Sequence, residues 1–137
     1  MKLTIVFIAS VQLFINCSIQ NNQTMERFNI DEFNKFAVGG VYIKLMDDGT
    51  HIKQFGNATT GYVENVTPPK GWYFVQRQFY ANGMLKSQGQ LFKKGEFKTG
   101  VWKFYDDKGK FTHELNEDAP FKLTLEDILV ILQQKKI

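Results

Sequence analysis

At 137 residues, 43% hydrophobic and 23% charged, the chain has room for one domain with a core of its own, without metal or disulfide staples. The net charge of +3 and the ratio of 15 Lys to 2 Arg argue against a concentrated basic stripe for nucleic acid and against bidentate phosphate recognition. An aromatic content of 15%, with 13 Phe and 5 Tyr, leans the composition towards pleated sheet.

The first 16 residues carry one charge, Lys2, and then an apolar run from Leu3 to Ile15 broken by Thr4, Ser10 and Gln12. Thirteen helical residues span about 20 Å, short of a hydrocarbon core of roughly 30 Å, and no basic stop-transfer cluster follows. Residues 1–16 are therefore expected to be an export signal. The single cysteine, Cys17, stands directly after it and has no internal partner for a disulfide. The string Leu13-Phe-Ile-Asn-Cys17 resembles a bacterial lipoprotein signal. That resemblance implies lipidation at Cys17, a membrane anchor, and a tether over residues 17–27. Ordinary cleavage near Cys17 or Ser18, releasing a secreted or periplasmic protein, is the alternative.

Phe28 to Phe36 predicts a short helix: Asn29 is placed to cap it, Asp31 and Glu32 suit its first turn, and Ile30, Phe33 and Phe36 share a face. Gly39-Gly40 ends it. Val41–Leu45 and His51–Phe55 alternate around Asp48-Gly49, a hairpin signal. A loop at 57–61, a strand at 62–66, a stiff link through Pro68-Pro69 and an aromatic strand from Trp72 to Tyr80 follow.

Phe79 to Phe111 is repeat-like. Tyr80-Ala-Asn-Gly83 aligns on Tyr105-Asp-Asp-Lys-Gly109 at a period of about 25 with one insertion, and Tyr42 to Gly49 gives a fainter third copy. Gly89, Gly95 and Gly100 are expected to leave room for aromatic neighbours. The pattern Tyr80-x-Asn82-Gly83-x-Leu85-Lys86-Ser87-x-Gly89, Lys94-Gly95, Gly100-x-Trp102-Lys103-x-Tyr105-Asp106-x-x-Gly109-Lys110 resembles MORN-repeat-variant proteins. These include exported bacterial proteins labelled YwqK-type antitoxins. The resemblance implies stacked β-hairpins that contact proteins or lipids, with an immunity-like role towards a toxin. Beyond the loop at 116–120, Thr124-Leu-Glu-Asp127 has capping-box spacing, and Leu125, Ile128, Leu129 and Leu132 predict a helix over 125–135.

The expected fold is thus α+β: antiparallel hairpins in a single domain over 28–137, a short N-terminal helix and a C-terminal helix covering one sheet face. His51 and His113 lack metal-ligand neighbours, and the acidic pairs Asp47-Asp48 and Asp106-Asp107 read as turn residues. No cofactor, metal or catalytic constellation is expected; a hydrolase built on convergent carboxylates is the enzymatic alternative. The candidate binding surface is Trp72, Tyr73, Tyr80, Lys86, Lys93, Lys94, Trp102, Lys103 and Tyr105, where aromatic anchors meet lysines. The expected function is a non-enzymatic envelope protein that binds another protein. The alternative is a structural lipoprotein touching lipid or wall through its lysine-rich hairpins.

Overall fold

The structure, a computed structural model, describes residues 26–135. The expected export signal, Cys17 and most of the expected tether lie outside the described residues. Helix α1 (Ile30–Phe36) is followed by strands β1 (Val41–Leu45), β2 (His51–Asn57), β3 (Gly61–Thr67), β4 (Tyr73–Phe79), β5 (Leu85–Phe92), β6 (Lys98–Tyr105) and β7 (Phe111–Asn116), then helix α2 (Leu125–Gln134). Every strand pairs antiparallel with its neighbour in sequence, giving one seven-stranded sheet in the order β1 to β7. Short turns leave each strand no other partner within reach.

This corrects the α+β expectation. The molecule is sheet-rich, flanked by helices of 7 and 10 residues. The helix at the C-terminus does form, with the full capping box between Thr124 and Asp127, but none of its residues is buried and it covers no sheet face. The strands it approaches present Tyr73, Gln90 and Thr99, and Tyr73 meets the helix through a hydrogen bond to Glu126. At the other end of the chain α1 behaves as its sequence suggests. The Asn29 side chain accepts from the Glu32 amide at 3.0 Å, and Phe33 is buried.

Three turns are built alike: Met46–Thr50, Tyr80–Met84 and Asp106–Lys110. In each, the first residue donates its N–H to the fifth and accepts from the fourth, a glycine. These are Gly49, Gly83 and Gly109, with φ of 84°, 81° and 84°, a conformation that costs other residues about 1–2 kcal/mol. A side-chain oxygen of Asp48, Asn82 or Asp106 closes each turn from inside. Aligned by these bonds, Tyr80 matches Asp106, so the repeat needs no insertion. The fainter copy at Met46–Thr50 has the same turn.

Two clusters form the core. On the face that carries α1, Phe28, Phe33, Tyr62, Phe79 and Leu85 are buried, with Phe28 stacked on Tyr62 at 4.5 Å between ring centroids. On the opposite face Phe74, Leu91 and Trp102 pack together with Phe104. Alternating strand direction gathers the turns at two ends of the sheet. The Gly83 end holds 57–61, 80–84 and 106–110; the Gly95 end holds 46–50, 68–72 and 93–97.

Candidate functional site

The residues expected to form one binding surface separate into three places. Trp102 is fully buried, its indole N–H donating to the Gln90 carbonyl at 3.2 Å, so it is core. It lies against Gly89, while Lys98 holds its ammonium 4.3 Å from the ring centroid. Of the three glycines expected to make room for aromatics, Gly89 does so for Trp102 and Gly95 abuts Phe97, whereas Gly100 has open space and serves its φ of 65°.

Tyr80 and Tyr105 are tied at the Gly83 end. The Tyr80 hydroxyl donates to the Tyr105 carbonyl at 3.0 Å, and Asn82 Nδ2 donates to the Asp107 carbonyl at 2.9 Å, lacing one hairpin turn to the next. Exposed Lys86 sits over the Tyr80 ring at 5.5 Å, and Lys103 is exposed in mid-strand. These are scaffold contacts with a solvated lysine fringe.

Trp72, Tyr73, Lys93 and Lys94 do come together, at the Gly95 end. Trp72 is 39% exposed and stacks on Phe92 at 6.2 Å, and the Lys94 ammonium lies 5.7 Å from its centroid. Phe97, 47% exposed, packs on the other side of Phe92 at 5.2 Å. Two bonds fix this group: the Lys93 amide donates to the Trp72 carbonyl, and the Lys93 ammonium to the Pro68 carbonyl, each at 2.8 Å. Beside Trp72 a cleft of about 210 Å³ runs between Pro68, Lys70, Gly71 and Tyr73. The Tyr73 hydroxyl donates to Glu126 of α2 at 3.0 Å; desolvation and that carboxylate push it up to about 12. The result is a partly exposed aromatic group with a lysine rim.

A second cluster is absent from the expectations. Glu26, Glu32, Lys44, Gln54 and Glu64 line a cleft of about 220 Å³ between α1 and the sheet, and Arg77 faces two of its carboxylates. Glu32 pairs with Lys44 at 3.0 Å and accepts from Tyr42 at 3.4 Å. Glu64 takes Arg77 at 2.9 Å and Gln54 at 2.7 Å. Arg77 Nε stands 3.1 Å from Glu26 at an angle that makes no hydrogen bond. The cleft does gather carboxylates, but each faces a cation. The Lys44 ammonium holds the Glu32 carboxyl below its usual range, the wrong direction for a proton donor at neutral pH. The signal was present as Tyr42, Lys44, Glu64 and Arg77 in one alternation phase, and only the strand register shows that the phase is shared.

The acidic turn pairs are occupied as turns. Asp48 accepts from the Thr50 amide at 2.8 Å, which lowers its carboxyl, and Asp106 accepts from the amides of Lys108 and Lys110. His113 stacks flat on Phe104 at 4.6 Å. No protein-family model, curated protein or solved structure matches this chain.

Proposed function

We propose that this chain is a non-enzymatic, exported binding protein of the cell envelope, held there by a lipid on Cys17, that engages another protein through its Gly95 end. The observation that carries this reading is the half-exposed Trp72, locked between Phe92 and Lys94 beside an open cleft. A pre-ordered aromatic loses little entropy on contact, and the lysines around it favour an acidic segment of the partner. The repeat-like turns give the reading its closest analogue, the immunity and antitoxin-like proteins that the sequence resembles.

The test is genetic. Deleting the gene sensitises the cell to a toxin encoded beside it, the intact gene restores protection, and Trp72→Ala does not. A deletion strain no more sensitive than its parent refutes the immunity role. Binding of the purified domain to anionic vesicles, abolished by moderate salt, would instead favour the lipid-contact reading. Acyl labelling that survives Cys17→Ser removes the anchor.

A further inference from the structure

Strand β1 forms one edge of the sheet, and its outer side is left open. The turn bond from the Met46 amide to the Thr50 carbonyl sets the alternation of the β1–β2 ladder, so Tyr42 and Lys44 bond inward to β2. Val41, Ile43 and Leu45 turn their N–H and C=O groups outward. Val41 confirms the phase, because it exchanges both bonds with Val38 across Gly39-Gly40. Among the described residues no backbone group bonds the outward N–H and C=O of Ile43 or Leu45. Their side chains are 62% and 65% exposed, and Met46 beside them is 42% exposed.

Edges are ordinarily guarded by bulges, prolines or free charges. The other edge, β7, is guarded: its pairing slips at Phe104/Tyr105 and it carries Glu114. The β1–β2 ladder runs through all five pairs without a shift, and β1 has no proline. Its one charge, Lys44, is neutralised by Glu32 of the same chain.

We infer that β1 pairs with β1 of a second copy of this chain, antiparallel about a two-fold axis at Lys44, to make a continuous sheet of two molecules. Only this register uses every open group. A two-fold at Ile43 would bring Leu45 of one copy onto Val41 of the other, whose outward bonds Val38 already holds. With the axis at Lys44, Ile43 and Leu45 of opposite copies exchange both of their bonds, twice over. Ile43 and Leu45 then adjoin on one face. On the other face Met46 reaches Tyr42 across the junction, and the two Lys44 side chains oppose each other with Glu32 compensating each. The contact is small, so the association is weak and concentration-dependent. It goes beyond the binding reading above and uses none of the residues around Trp72, so either can fail alone.

The geometry supplies its own test. Lys44 and its counterpart form a non-hydrogen-bonded pair with Cα atoms about 4.5 Å apart, inside the range a disulfide spans. In residues 18–137, which keep the whole sheet and contain no other cysteine, Lys44→Cys should oxidise to a covalent dimer about tenfold faster than Lys53→Cys on the neighbouring strand. Sedimentation of the unmodified protein up to about 1 mM should show a monomer–dimer equilibrium. Ile43→Pro removes only an outward donor, so it should abolish the dimer with the circular dichroism unchanged. Leu45→Glu serves the same purpose if the proline unfolds the strand. Glu32→Gln should weaken association by exposing two like charges. A protein that stays monomeric at 1 mM, a Lys44→Cys variant no faster than the control, or a dimer that persists in folded Ile43→Pro and Leu45→Glu overturns the inference.

Discussion

Gly89→Ala should be among the most damaging single-methyl additions in this molecule. Gly89 sits in β5 opposite Gln76, with the Trp102 indole lying over it from β6. A Cβ built there would fall inside contact distance of Cδ2, Cε2 and Cγ of that ring. Carbon atoms settle at about 3.5–4.0 Å, so the indole would have to lift by roughly 1 Å. It has nowhere to go: Trp102 is fully buried among Phe74, Leu91 and Phe104, with Lys98 above it. Overpacking of this kind costs about 1–3 kcal/mol, and straining the indole bond to Gln90 adds about 1 kcal/mol. The backbone at Gly89 is ordinary, so alanine returns about 0.5 kcal/mol by stiffening the unfolded chain. The net expectation is a loss of about 2–3 kcal/mol, a fall in Tm on the order of 10–15 °C. Urea unfolding followed by tryptophan fluorescence measures it. Trp102→Leu removes the obstruction, so the double variant should be at least ~1 kcal/mol more stable than the two single losses summed. A Gly89→Ala protein within about 0.5 kcal/mol of its parent, or strict additivity, refutes the reasoning.

Asn82→Ala removes the acceptor for the Met84 amide and the donor to Asp107, and should cost about 1–2 kcal/mol by thermal unfolding; Asn82→Asp, keeping the acceptor alone, should lose less. Tyr73 should ionise in an ultraviolet titration with a midpoint raised to about 12 that moves down in Glu126→Gln. Because the folded state holds that proton more tightly than the unfolded one, the associated stability is intact below about pH 10 and is lost as pH rises towards 12. Tyr73→Phe should remove that part of the alkaline loss.

Local signals were legible where the chain is its own context. Asp48-Gly49, Asn82-Gly83 and the glycine at 109 fix turns through φ, and the turns fix which strands meet. The α1 cap and the α2 capping box were likewise written in residues three apart. What failed was inference about faces. An apolar stripe on α2 predicts a sheet face beneath it, but periodicity records what a helix can bury, not what it meets. Alternation in β1 marked Val41, Ile43 and Leu45 as a set, yet α1 lies on the Tyr42 and Lys44 side, because Glu32 and Phe36 find partners there. Composition groups tryptophans, tyrosines and nearby lysines of this region into one binding surface, while register places Trp102 inside and Tyr80 in the lacing of the turns.

The two tryptophans stand in opposite surroundings. Trp102 lies in mid-strand opposite a glycine, a place where any change of size is felt throughout the core. Trp72 lies one residue before β4, on a link held by Pro68, Pro69 and the Lys93 bonds. The Gly83 end is closed by side-chain bonds from one turn to the next, so substitution there disturbs the sheet itself. At the Gly95 end the described side-chain bond from one turn to another is Lys93 to Pro68, with Trp72 and Phe97 left partly in solvent. If the proposed binding reading holds, a partner's surface would be matched by changing 68–72 and 93–97 without altering a strand. Trp72→Ala should then leave Tm within a few degrees of the parent while removing protection, whereas Trp102→Ala should cost about 3–5 kcal/mol and lose protection only because the domain unfolds. If both variants lose function in proportion to lost stability, the Gly95 end is scaffold as well, and recognition lies elsewhere on the sheet.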